Sequence, residues 1–228
     1  MANTSPVKKI SVLTNEDIKN AYIDYVLSNN ESPRSVYDFA KKLKITEAEF
    51  YNHYASFMAI EKSIWADLTS RAIEEVKLQE AWNTYTSREK MLSFFYAYVE
   101  LLKTQRSFVI YSLKKSRSKI STPVVLADAK PLFLAFSENV IHSGLESGEL
   151  ASRKFFSDKY KDALWLQLAF VINFWIEDDS KDFEKTDEAI EKGVQVAFDL
   201  FQRSAIDNLF EYGKFLVRNG KIREKMGI

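Results

Sequence analysis

The stretch Ser35-Val-Tyr-Asp38-Phe39-Ala40-Lys-Lys-Leu43-Lys44-Ile45-Thr46-Glu47-Ala48-Glu49-Phe50-Tyr51-Asn52-His53-Tyr54-Ala-Ser56-Phe57 reads as two short helices joined by a tight turn. Each helix has its own start signal. Ser35 followed three residues later by Asp38 resembles a capping box with Asp in the acidic slot, and Thr46 with Glu49 matches one fully. Val36, Phe39, Ala40 and Leu43 share one face of the first helix, while Phe50 and Tyr54 lie four apart on the second. Two faces of this kind close a small core, and the arrangement is a helix-turn-helix.

Working outward, a helix over about 15–28 carries Ile18, Ala21, Tyr22, Tyr25 and Val26 on one face and ends at Asn29-Asn-Glu-Ser-Pro33. Packed across the helix-turn-helix it completes a three-helix domain, expected at residues 1–55. Ser56 caps a long helix that runs to about Trp82 with Ile60, Ile64, Leu68 and Ile73 along it, a connecting rod to a larger helical domain at 56–228. Only six Gly and four Pro interrupt the 228 residues, and the apolar residues keep a helical period throughout. The expected architecture is all-α.

This pattern resembles the TetR family of bacterial transcriptional regulators. Asp38-Phe39-Ala40, Ile45-Thr46 and Phe50-Tyr51-Asn52-His53-Tyr54 stand where that family has Asp-Ile-Ala, Val-Ser and Leu-Tyr-x-His-Phe. Lys44 replaces the usual turn Gly, Glu49 a common Thr, and Phe57 the Lys that opens the next helix. Carried onto this chain, the resemblance assigns the DNA-facing surface to Arg34, Ser35, Lys44, Thr46, Glu47, Ala48, Tyr51, Asn52 and His53. Asn52 suits adenine, and Lys44 suits a guanine or a phosphate. The resemblance also implies a homodimer on double-stranded operator DNA, repression as the usual outcome, and a small effector that moves the rod.

Charge pulls the other way. Residues 1–68 hold eight Lys or Arg against nine Asp or Glu, and the recognition helix contains Glu47 and Glu49 but no cation. Phosphate contact depends on cations, although hydroxyl, amide and imidazole groups donate to phosphates without net charge. The acidic recognition helix therefore motivates a second reading, a TetR-fold protein that carries a lipid or isoprenoid-like molecule and no longer binds DNA. Trp175-Ile-Glu-Asp-Asp179-Ser-Lys-Asp182-Phe183-x-x-Thr186 is similar to the region before the last helices of lipid-binding proteins of ubiquinone biosynthesis that share this fold. A third reading is an interaction module using the basic tail Lys214, Arg218, Lys221, Arg223 and Lys225.

Later segments fill in the larger domain. Ser87 opens a helix with Met91, Phe95, Tyr98, Val99 and Leu102 on one stripe, and a second helix over 108–118 ends in Lys114, Lys115, Arg117 and Lys119. Pro123 starts the next helix, Pro131 is expected to kink or break it, and Gly144 and Gly148 frame the turn that follows. An eighth helix over about 157–177 is apolar on nearly all sides; a ninth begins at Thr186 and continues through Leu209, Phe210 and Phe215. By the resemblance these two form the dimer pair, with Phe170, Phe174, Val194, Phe198 and Phe201 at the interface.

With 17 Phe, 11 Tyr and 4 Trp, the chain has aromatic side chains to spare for a pocket. Phe95, Tyr98, Tyr111, Phe133, Phe136 and Trp165 are the candidates for lining one that takes an apolar or aromatic effector. Core packing is the competing role for each. The overall balance of 32 basic and 32 acidic residues gives no polyelectrolyte character. Zero Cys excludes disulfides and thiolate metal sites and fits a reducing cytoplasm.

Enzymatic chemistry finds no support. His53 and His142 sit in different expected domains without ligand spacing, no phosphate loop or nucleophile motif occurs, and no cofactor or metal site is expected. The acidic run Asp178, Asp179, Asp182 and Glu184 lacks the spacing and turn Gly of a Ca²⁺ loop and reads as a solvated connection. The longest apolar run, Ala163 to Ile176, is too short for the roughly 20 residues of a bilayer span.

Overall fold

A computed structural model describes residues 13–115, 122–152 and 159–202. Among them, helices account for the regular structure and no strand occurs. In chain order they are α1 (Asn15–Asn29), α2 (Val36–Leu43), α3 (Glu47–His53), α4 (Phe57–Lys77), α5 (Ser87–Thr104), α6 (Arg106–Lys115), α7 (Ala129–Glu146), α8 (Tyr160–Glu177) and α9 (Glu184–Phe201). The all-α expectation is borne out.

Packing divides the chain into two units. The first takes the residues up to Asp67 together with Thr104–Ala129, and the second takes Leu68–Lys103 with the residues from Lys130 onward. The first unit thus reaches past residue 55, takes in the start of α4, and includes α6, which packs on α1.

The core of the first unit is aromatic. Tyr22 stacks on Phe57 at 5.6 Å, and Phe39 meets Tyr22, Phe50 and Phe57 edge-on at 5.5–6.2 Å. Such pairs add about 0.5–1.5 kcal/mol beyond the area they bury. Phe57 replaces a cation of the resembled pattern because here the first residue of α4 is part of this core. Local caps fix the helix ends. Thr14 and Asp17 close a capping box on α1, Ser35 Oγ accepts from the Asp38 amide, and Ser56 Oγ accepts from the Ala59 amide. Lys19 on α1 is buried and donates to Asp67 on α4. Burial alone would lower its pKa, but the pairing with Asp67 outweighs that and raises it.

In the second unit, α5, α7 and α8 enclose another aromatic core. Phe94 lies 5.5 Å from Tyr98, 5.3 Å from Phe133 and 5.1 Å from Phe136, and Phe133 lies 5.8 Å from Trp165. The Glu149 carboxylate accepts from the Ser87 and Arg88 amides at 2.8 and 3.2 Å, capping α5 from the turn after α7. Gly144, in the last turn of α7, is held to glycine, since a Cβ would stand 2.5 Å from Ser87 Oγ and 2.7 Å from the Leu150 side chain. Gly148 has φ +77°, a conformation glycine adopts without strain.

Five sequence expectations are corrected. The rod ends at Lys77, and Trp82 belongs to a separate 3-10 turn, Glu80–Thr84. Pro123 precedes a short 3-10 turn, and Pro131 falls in the first turn of α7, where a missing N–H breaks no helical bond. The ninth helix begins at Glu184, two residues before Thr186. Asp178 is not part of a solvated loop. It is 7% exposed, and its carboxylate accepts from the amides and hydroxyls of Ser180 and Thr186 at 2.6–2.9 Å. Desolvation opposes its ionisation, but these four bonds prevail and bring its pKa down to about 2. The segments holding Ser157, Arg117, Lys119, Leu209, Phe210, Phe215 and the basic tail lie outside the described residues.

Candidate functional site

The helix-turn-helix presents one solvent-facing surface. Arg34, Lys44, Thr46, Glu47, Ala48, Tyr51 and Asn52 are exposed, and Ser35 and His53 are half-buried. Of the nine, Glu47, Ala48, Tyr51, Asn52 and His53 lie on α3, Lys44 and Thr46 in the turn between α2 and α3, and Arg34 and Ser35 just before α2. Tyr37, Lys41 and Lys42 on α2 are exposed as well, and Lys42 Nζ stands 4.5 Å above the Tyr25 ring. Lys44 closes α2 in the left-handed region, φ 62° and ψ 35°, with its amide donating to the carbonyls of Ala40 and Lys41. That geometry explains why glycine is common at such a turn and places a cation where glycine has none.

Hydrogen bonding sorts the polar residues. Glu49 Oε2 accepts from Thr46 N at 2.7 Å and from Thr46 Oγ1 at 2.9 Å, while Thr46 Oγ1 accepts from the Glu49 amide. The backbone bond to Thr46, followed by the hydroxyl bond, lowers the Glu49 pKa. The negative charge is turned onto the start of its own helix, where the dipole favours it. The same bonds occupy the Thr46 hydroxyl both as donor and as acceptor, so its expected donation to phosphate is corrected: it is a cap. His53 Nδ1 lies 2.5 Å from Asn15 Oδ1. Since a carbonyl oxygen only accepts, Nδ1 carries the proton and Nε2 is the ring atom left for another partner.

Of the six expected pocket residues, five come together. Phe95, Tyr98, Phe133, Phe136 and Trp165 are at most 5% exposed, in the core of the second unit. Burial raises the Tyr98 pKa, and its hydroxyl oxygen accepts from Thr69 Oγ1 at 3.4 Å. Tyr111 is corrected: it belongs to the first unit, with its hydroxyl 3.3 Å from Ser32 Oγ. A groove of about 460 Å³ lies on the second unit along α5, lined by Tyr85, Glu89, Leu92, Ser93, Tyr96 and Glu100 among others. None of the five core aromatics lines it.

The α8–α9 pair divides the expected interface residues. Phe170 is 53% exposed and Phe174 half-buried, but Val194, Phe198 and Phe201 are at most 4% exposed and pack inside the subunit. Their assignment to a partner contact is corrected, because a side chain already enclosed has no area left to bury. The exposed apolar residues are Leu166 and Phe170 on α8 and Val196 and Leu200 on α9, each pair four residues apart. Two apolar stripes run along α9, and periodicity alone does not tell which of them packs inside the subunit. No helix among the described residues is long and apolar enough to cross a membrane, and no cluster of His, Asp or Glu there could hold a metal ion.

Residues 90–216 match the family model of the tetracycline repressor-like C-terminal domain. That is more than half of the chain, and the protein belongs to the TetR family, a family of transcriptional regulators and not of enzymes. Similar solved structures agree on the fold. A Rhodococcus sp. RHA1 protein of unknown function has a TM-score of 0.55 at 11% identity over 88% of this chain and 100% of its own. A protein from Shewanella sp. PV-4 assigned to the TetR family transcription regulators has a TM-score of 0.57 at 12% identity, over 83% of this chain and 98% of its own. A TetR-family regulatory protein from Rhodococcus RHA1 has a TM-score of 0.51 at 14% identity, over 83% and 97%. No curated protein matches the sequence.

Proposed function

We propose that this chain is a cytoplasmic DNA-binding repressor that acts as a homodimer on an operator, with its DNA affinity modulated by a small apolar effector. The observation that carries the reading is the turn surface of α2 and α3: Arg34, Lys44, Tyr51 and Asn52 are exposed, while the equally exposed Glu49 carboxylate is tied to Thr46 in its capping box. The DNA-binding part is residues 1–55, and residues 56–228 form the ligand-binding and dimerisation part. In the dimer, Leu166, Phe170, Val196 and Leu200 supply the buried apolar centre, with Phe174 at its edge. The aromatic cluster around Phe94 and Phe133 is the chamber for the effector, which enters by displacing rings from one another. Coupling then requires that the effector favour one of two arrangements of the dimer.

Fluorescence anisotropy on duplex DNA from upstream of the chain's own gene, against a scrambled duplex across a salt series, tests the reading. Sequence-dependent binding that weakens steeply with salt supports it. Glu47 and the lack of Lys or Arg on α3 favour a second reading, a lipid- or isoprenoid-binding protein of the same fold. Absence of binding to either duplex at low salt, with lipid detected by mass spectrometry in the purified protein, supports that reading instead.

A further inference from the structure

The groove of about 460 Å³ on the second unit follows the outer side of α5. Glu89, Leu92, Ser93, Tyr96, Ala97 and Glu100 line it, and their steps of three and four residues put them on one face of the helix. The opposite face is the core stripe of Met91, Phe94, Phe95, Tyr98 and Leu102, at most 1% exposed. Gln79 and Tyr85, from the segment between α4 and α5, complete the lining. Ser93 Oγ donates to Gln79 Oε1 at 2.9 Å and holds that segment against the helix.

The groove is apolar along its length and acidic at both ends. Leu92 and Ala97 supply aliphatic surface, and the rings of Tyr85 and Tyr96 attract cations as well as covering methylenes. From Glu89 to Glu100 the helix rises about 16 Å, at about 1.5 Å per residue. Glu89 Oε2 accepts from Thr86 N and Thr86 Oγ1, both at 2.8 Å, and Glu100 Oε1 accepts from Lys103 Nζ at 2.7 Å. Among the described residues the second oxygen of each carboxylate has no hydrogen bond. The backbone bond to Thr86, followed by the hydroxyl bond, lowers the Glu89 pKa and keeps it charged.

More negative charge stands behind the Glu100 end. Tyr96 Oη donates to Glu191 Oε1 at 3.0 Å, and burial together with that bond pushes the Tyr96 pKa up to about 12. Burial, with repulsion from Glu100 and Glu191 added, raises the Asp187 pKa against the pull of Lys103. This end therefore gathers Glu100, Asp187 and Glu191 around the ammonium of Lys103, and none of the lining residues is basic. An anion is repelled from such a groove. A compact cation meets one end only, whereas a chain with a charge at each end meets both and covers the apolar stretch between them.

We propose that the groove along α5 is a binding site for an elongated organic dication, an aliphatic chain with an ammonium at each end. Glu89 and Glu100 take the ammonium groups, and Leu92, Tyr96 and Ala97 take the chain. Linear polyamines belong to this class. The site requires neither DNA binding nor the aromatic chamber, none of whose rings line it.

Isothermal titration calorimetry of the full chain at fixed ionic strength, with the terminal diamines diaminododecane and diaminobutane as probes, tests it. Diaminododecane is expected to bind at least tenfold more tightly, because the shorter diamine cannot span both carboxylates and covers less of the apolar stretch. Glu89→Gln and Glu100→Gln should each weaken diaminododecane about threefold, and the two together about tenfold. Glutamine keeps the capping bond to Thr86, so the start of α5 is preserved. Glu138→Gln/Glu146→Gln removes two exposed carboxylates of α7 that do not line the groove, and its affinity should stay within twofold of wild type. Equal weakening by both double variants overturns the proposal, since it shows general attraction to acidic surface. Equal affinity for the two diamines, or no binding of diaminododecane, overturns it as well. With no DNA present, the outcome decides this site whether or not the repressor reading holds. Should the Glu89→Gln chain not fold, Glu100→Gln is judged alone against Glu138→Gln.

Discussion

Replacing Lys44 by Gly should push stability and DNA affinity in opposite directions. The residue holds φ 62° and ψ 35° at the end of α2, a region that costs an L residue about 1–2 kcal/mol. Glycine removes that cost but gains freedom in the unfolded chain worth about 0.4–1 kcal/mol. The net expected gain is about 0.5–1 kcal/mol, or about 1–4 °C in Tm for a chain of this size. On DNA, one phosphate contact is lost in each subunit of a dimer, so the slope of log affinity against log salt should become shallower by about 1.8. Lys44→Ala separates the two effects, since alanine keeps the strained backbone and loses only the cation. It should show the shallower salt slope with no rise in Tm. Differential scanning fluorimetry and anisotropy measure both quantities on the same preparation. An unchanged or lower Tm for Lys44→Gly would refute the strain argument, and an unchanged salt slope in both variants would remove Lys44 from the DNA surface.

Four further outcomes are expected. The Asp178 carboxyl, held at about 2 against an ordinary 3.8, contributes stability that is complete above about pH 5 and is lost as the pH falls through about 2. The shift is worth about 2.5 kcal/mol undiscounted and about 1.5 kcal/mol once nearby water is allowed for. Asp178→Asn should lower the urea midpoint at pH 7 accordingly, with the gap to wild type narrowing below about pH 4 and closing only below about pH 2. Thr46→Ala opens the capping box of α3, which should cost about 1 kcal/mol in chemical denaturation. Leu166→Glu with Leu200→Glu should turn a dimer into a folded monomer by sedimentation velocity, whereas Phe198→Ala, in the core, should cost about 3–5 kcal/mol in stability.

Much of the helix-turn-helix was legible in the sequence because its determinants are local. A cap and the amide it accepts from are three residues apart, so Ser35, Thr46 and Ser56 announced helix starts that the fold confirms. Helix type followed from apolar spacing for the same reason. Partnership across the chain was not legible. Phe57 looked like a lost cation and is a core ring; Tyr111 looked like a pocket aromatic and is a link to Ser32; Asp178 looked solvated and organises the turn into α9. Val194 and Phe198 share helical period with Val196 and Leu200 in the sense that both stripes are apolar, and nothing in a single helix tells which one its neighbour covers. Periodicity and capping are properties of four or five consecutive residues, and the sequence by itself determined those. Which of two apolar faces turns inward, and which buried hydroxyls find one carboxylate, depends on residues as far apart as Tyr22, Glu61 and Ser112, and only the packed helices decide it.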